Sequence, residues 1–98
     1  MASGGKNAQF LIEARLARAA RGSVDDYFNL GVAFSCGEGD TEIDLIEAHK
    51  WFNIAASGGC ERGQAMRAEI AEEMTAREIA EAQRQARAWI AQARPRAA

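Results

Sequence analysis

Two five-residue segments of the sequence, 36 residues apart, resemble each other. Residues 19–23 read Ala-Ala-Arg-Gly-Ser and residues 55–59 read Ala-Ala-Ser-Gly-Gly, and each has the pattern of a helix that stops at glycine. A period in this range is typical of helical solenoids, in which each repeat is a helical hairpin that stacks on its neighbours. The repeat therefore predicts a stack of hairpins rather than a closed bundle.

The length and composition of the chain predict a single all-α domain. A chain of 98 residues buries about 65% of the surface that its unfolded form exposes, which is enough for one modest core. Alanine, glutamate and arginine are abundant, β-branched residues are few, and the single proline is Pro95, so helices are favoured over strands.

Helix start and stop signals divide the chain into five predicted helices. Ser23 caps the second helix and two glycines, Gly37 and Gly39, end it, while Thr75 and Glu78 form a capping box at the start of the fifth. We expect a short right-handed α-α superhelix with helices at about 7–22, 23–36, 44–57, 61–73 and 75–94. Residues 1–6 would be a flexible lead-in, residues 7–94 the single helical-repeat domain, and residues 95–98 a tail.

The segment between the two similar helix ends carries a recognisable pattern. It contains a Leu-Gly pair at residues 30–31, a Gly-x-Gly loop at 37–39, and Ala-x-x-Trp-Phe-x-x-Ala-Ala at 48–56. This pattern resembles one unit of the Sel-one-like repeat, a relative of the tetratricopeptide repeat. The resemblance implies one complete repeat at about 23–59, and a degenerate repeat with a capping helix at 60–94. It also implies a protein-interaction scaffold in a bacterial cell.

The charge and the N-terminal sequence restrict the partners and the location. Twelve basic and fourteen acidic residues give a net charge of −2, so nucleic acid and anionic membrane would gain little attraction, and we expect neither as a partner. The N-terminal residues are small and polar, with no apolar run after them, which predicts a cytoplasmic protein. Two cysteines are too few for a disulfide scaffold, so both are expected as thiols.

No pattern in the sequence predicts catalysis, a metal or a cofactor. His49 is the only histidine, and we interpret it as a side chain on a helix surface, although it could pair with Cys36 across a loop. The acidic loop at residues 38–44 lacks the glycine and glutamate that a calcium loop requires. We therefore expect a protein that is not an enzyme, with no catalytic residue, metal ligand or cofactor.

The remaining hypothesis is a surface that binds another protein. Repeat solenoids bind their ligands with the first helix of each hairpin, which here would offer a polar side made of Asp25, Asp26, Asn29 and Ala33. Asn29 is the best single candidate because it can donate to and accept from a peptide backbone, although an asparagine merely tolerated on an exposed helix is an equal alternative. The alternative function is a structural homodimer that self-associates through Ile46 and Ile54, which are predicted to lie outside the core.

Overall fold

The computed structural model describes residues 13, 14, 16, 17, 22–39 and 41–93. In these residues the chain forms helices joined by short turns, with no strand, which confirms the all-α prediction. The four complete helices are α1 (Val24–Cys36), α2 (Leu45–Ser57), α3 (Glu61–Ala71) and α4 (Ala76–Ala93). The predicted first helix, 7–22, and its end signal lie largely outside the described residues, and of its members 13, 14, 16 and 17 are helical.

Both ends of α1 are set by the local signals that the sequence predicts. The Ser23 hydroxyl accepts a hydrogen bond from the backbone N–H of Asp26 at 3.4 Å, which satisfies one of the free amides at the helix start. At the other end Gly37 has φ of 67° and its N–H donates to the carbonyl of Ala33. A left-handed residue at this position suits glycine because it has no β-carbon to clash with the backbone.

The starts of the other helices are capped by side chains in the same way. Asp44 accepts from the N–H of Glu47 at 3.1 Å at the start of α2. Thr75 and Glu78 make the two reciprocal bonds of the predicted capping box before α4, at 3.1 and 2.9 Å. At α3 the thiol sulfur of Cys60 accepts from a backbone N–H at 3.3 Å, a cap that we did not predict.

Helix α2 is the centre of the packing, because it contacts each of the other three helices, while α1 also contacts α3. One core cluster joins α1, α2 and α4 around the rings of Tyr27 and Trp51, against which Trp89 packs. The other joins α2 and α3 around Phe52 and Ile70. The buried residues of α2 are therefore divided between two neighbouring clusters.

Candidate functional site

The predicted polar side of α1 is partly exposed and partly buried. Asp25 and Asn29 are exposed, and Asp26 is half-buried. Ala33 has no exposed surface, so our prediction that it lies on the binding side is wrong. The prediction treated α1 as a helix with one narrow buried stripe. The buried residues of α1 form a wider arc because the helix packs against more than one neighbour; they are Tyr27, Leu30, Gly31 and Ala33.

Two apolar side chains lie on the same stripe of α1 as the exposed polar residues. Phe28 and Val32 stand three and seven residues after Asp25, a spacing that places all three on one helical face together with Asn29. Both apolar side chains are half-buried, with their inner sides packed against the cluster of Phe52 and its neighbours. Both therefore retain some exposed surface on the stripe that contains Asn29.

Helix α3 supplies the other half of this surface. The guanidinium of Arg62 lies over the ring of Phe28, with 4.4 Å between the central carbon and the ring centroid, a cation–π arrangement. Met66 stands one turn further along α3, is half-buried and packs against the same core cluster. We call the surface made by Asp25, Phe28, Asn29, Val32, Arg62 and Met66 the α1–α3 face.

A glycine in α1 makes the close packing beneath this face possible. A β-carbon at Gly31 would lie 2.5 Å from carbons of the Phe52 ring, so only glycine leaves room for that ring. The ring of Phe52 in turn supports Phe28, with 5.4 Å between their centroids. The Phe28 ring is therefore held in place by its contacts with the Phe52 ring and the Arg62 guanidinium.

A cleft lies on another side of α1, away from the α1–α3 face. An apolar cleft of about 210 Å³ is formed between the start of α1, the end of α2 and the end of α4. Its wall includes Tyr27 and Trp89, whose rings meet edge to face with 5.0 Å between centroids. Burial, followed by the negative charge of Asp26, raises the pKa of the Tyr27 hydroxyl above its ordinary value, so the phenol remains neutral.

The predicted self-association residue Ile54 lies at the same cleft and is buried. Ile54, which we expected outside the core, is only 2% exposed and belongs to the cluster beneath the cleft. Ile46 is half-buried. Helix α2, which is the third helix predicted from the sequence, buries a wider arc than we expected because it packs against three other helices. The large apolar side chain that is most exposed in the described residues is instead Ile43, at 62%.

His49 and Cys36 do not form the couple that we considered. His49 is 2% exposed, which overturns its interpretation as a surface residue, and its Nδ1 has no hydrogen-bond partner. Burial, and secondarily the positive charge of Arg67, lowers the pKa of this imidazole below 6.5. The thiol of Cys36 is exposed and donates to the carbonyl of Val32 at 3.1 Å. The histidine is thus a core residue.

The described residues contain no further chemical site of the kinds that we considered. No three of their histidine, cysteine, aspartate and glutamate side chains come together as metal ligands would. None of the described helices has both the length and the apolar composition that crossing a bilayer requires. Both cysteines are free thiols.

Comparison with known proteins does not identify a relative. No family model, curated protein or solved structure matches the chain significantly. The candidate site therefore rests on its own geometry.

Sequence reasoning found the polar members of the α1–α3 face and missed the apolar ones. The signal for Phe28 and Val32 was their spacing from Asp25 and Asn29, which places them on the same stripe of α1. Arg62 and Met66 had no such signal. Their position beside α1 depends on how α3 packs against α1 and α2, which is decided by the tertiary structure.

Proposed function

We propose that this chain is a non-catalytic adaptor that binds a peptide or protein segment on the α1–α3 face. The observation that carries the proposal is the partly exposed apolar strip of Phe28, Val32 and Met66. Its rim is formed by the exposed side chains of Asn29 and Arg62. A strip of this kind suits an amphipathic segment whose apolar side chains cover it while polar groups bond at the rim.

The order of helix contacts supports a short solenoid as the architecture behind this site. In a stack of hairpins the first helices of successive hairpins touch each other and form one layer, while the second helices form the other. The contacts of α1 with α3, and of α2 with α4, follow this pattern. In such a stack the α1–α3 face is the side on which repeat proteins hold their ligands. The resemblance to the Sel-one-like repeat agrees with this arrangement.

Asn29 is the residue that we assign to hydrogen bonding with the partner. Its side chain is exposed, and its amide can both donate and accept. An extended or helical segment that lies along Val32 and Met66 would bring backbone or side-chain polar groups into its reach. Loss of up to two such bonds, each worth roughly 0.5 to 1.5 kcal/mol, would weaken binding about tenfold.

A selection of random displayed peptides on the full chain tests the proposal. The affinities of the enriched peptides are then measured by fluorescence anisotropy for the unchanged protein and for Asn29→Ala. Gln83→Ala is the matched control, because Gln83 is also an exposed amide side chain but lies on α4. We expect an approximately tenfold loss for Asn29→Ala and no change for the control. Equal affinity for both variants would contradict the proposed site.

A further inference from the structure

The charges of the chain are unevenly distributed along its length. Residues 22–75 carry eleven acidic and three basic side chains, a net charge of −8, whereas residues 1–21 and 76–98 each carry a net charge of +3. The overall net charge of −2 hides this separation. All of α1, α2 and α3, and therefore the whole α1–α3 face, belong to the acidic part.

The three basic side chains of this part are held by partners within the fold. Lys50 forms an ion pair with Glu47 at 3.0 Å and has a side chain only 14% exposed. Arg67 donates to the amide oxygen of Asn53 at 2.6 Å. Arg62 lies over the Phe28 ring. Lys50 and Arg67 are half-buried, whereas Arg62 is exposed but lies against the Phe28 ring.

Carboxylates flank the apolar strip on both of its helices. Asp25 begins the stripe of α1 and is exposed. Glu69 is exposed on α3, seven residues after Arg62 and therefore on the same helical face. Negative groups beside a low-dielectric apolar strip raise the local concentration of cations and repel anions. The face thus combines an apolar contact area with exposed carboxylates on both of its helices and with the guanidinium of Arg62.

We infer that the segment which docks on the α1–α3 face is cationic: a stretch of another protein in which lysine or arginine side chains alternate with apolar ones. The inference rests on the proposed function and adds the chemistry of the partner. The apolar side chains of the segment would cover Phe28, Val32 and Met66. Its cationic groups would meet Asp25 and Glu69, and attraction to the acidic part would accelerate the encounter at low ionic strength.

Helix α4 of a second copy is a poorer source of this chemistry. Among the described helices only α4 has a net positive charge, of +1. One of its arginines, Arg84, is already paired with Glu81 at 2.6 Å. The exposed large apolar side chains of the described residues are Leu16 and Ile43, and neither of them lies on α4. The helix therefore lacks the apolar side chains that the strip requires.

The charge of peptides selected from a random displayed library on the full chain tests the inference. An enriched peptide is synthesised, and its affinity is measured for the unchanged protein, for Asp25→Lys and for Glu42→Lys. Both changes alter the net charge equally. Glu42 is also exposed but lies in the loop beyond the far end of α1, roughly 15 Å from Asp25 and outside the Debye length of about 8 Å.

We expect enriched peptides with an excess of lysine and arginine, and affinities that decrease with added salt. Asp25→Lys should weaken binding by about fivefold to tenfold, and Glu42→Lys by less than about twofold. Enriched peptides without a basic excess, but sensitive to Asn29→Ala, would overturn the inference and leave the proposed function standing. Peptides insensitive to Asn29→Ala, to Asp25→Lys and to salt would overturn both. Light scattering that shows self-association abolished by Asp25→Lys would replace the partner protein with a second copy.

Discussion

The backbone of Gly31 in α1 lies directly against the ring of Phe52 in α2. A β-carbon at position 31 would be 2.5 Å from two ring carbons and 2.9 Å from a third. Atoms do not approach this closely, so the ring or the helix axis would have to move. This contact sets the separation of the two helices beneath the α1–α3 face.

The Gly31→Ala variant should destabilise the protein even though alanine is the better helix former. Alanine gains up to about 1 kcal/mol of helix propensity, but overpacking against Phe52 costs roughly 1 to 3 kcal/mol. Thermal unfolding should show a lower Tm. In the Phe52→Leu background the ring is absent, so the same change should cost less, and an unaltered cost would show that the ring is not the obstacle.

Gly63 tests a second close approach, between α3 and α2. Helix propensity alone would make Gly63→Ala stabilising. However, Gly63 is buried, and a β-carbon there would lie 3.1 Å from both the Phe52 carbonyl oxygen and the Ala55 methyl. The crowding should cancel the propensity gain. Ala65→Gly, at an exposed site of the same helix, measures that gain with opposite sign, at about 1 kcal/mol. Urea unfolding of both variants gives the comparison, and a full gain at Gly63 would refute the close approach.

His49 should make stability dependent on pH near neutrality. The folded protein holds the imidazole neutral because burial and Arg67 lower its pKa below 6.5, whereas the unfolded chain has the ordinary value near 6.5. The unfolded state then binds more protons in acid, so stability is complete above about pH 6.5 and decreases as the pH falls below it. Urea unfolding between pH 5 and 8 should show this slope.

A His49→Leu variant provides the control for that slope. The chain has one histidine, and no other ordinary side chain titrates between about pH 5.5 and 7.5. The variant should therefore show nearly constant stability over this interval, whatever its absolute value. A slope equal to that of the unchanged protein would assign the pH dependence to other groups.

Thr75→Ala should weaken the start of α4. It removes the hydroxyl that accepts from the Glu78 N–H at 3.1 Å, and the loss of such a cap costs about 1 kcal/mol. Thr75→Ser keeps the hydroxyl and should be nearly neutral. Chemical denaturation of the two variants distinguishes them, and equal stabilities would show that the capping box contributes little.

Ile54→Ala and Ile46→Ala should differ although both residues lie on α2. Ile54 is 2% exposed, and truncation of a buried isoleucine costs roughly 2 to 5 kcal/mol. Ile46 is half-buried, so its truncation should cost clearly less. Equal losses in urea unfolding would contradict the burial of Ile54.

The sequence by itself determined where α1 begins and ends and where α4 begins. The cap of Ser23, the left-handed Gly37 and the box of Thr75 with Glu78 all act within four residues, so the local chain contains the whole interaction. The exposed positions of Asp25 and Asn29 followed from helical periodicity, and both were predicted. Ser23 and Gly37 also fix the two ends of α1, the helix that carries Asp25 and Asn29.

The tertiary structure decided which sides of the helices are buried and what meets across them. Ala33, His49 and Ile54 are buried because their helices have several neighbours, and a projection of one helix cannot count neighbours. Arg62 reaches Phe28 across 34 positions of sequence, a contact set by the approach of α3 to α1. The apolar half of the α1–α3 face arises from this packing because a surface between two helices exists only once both are in place.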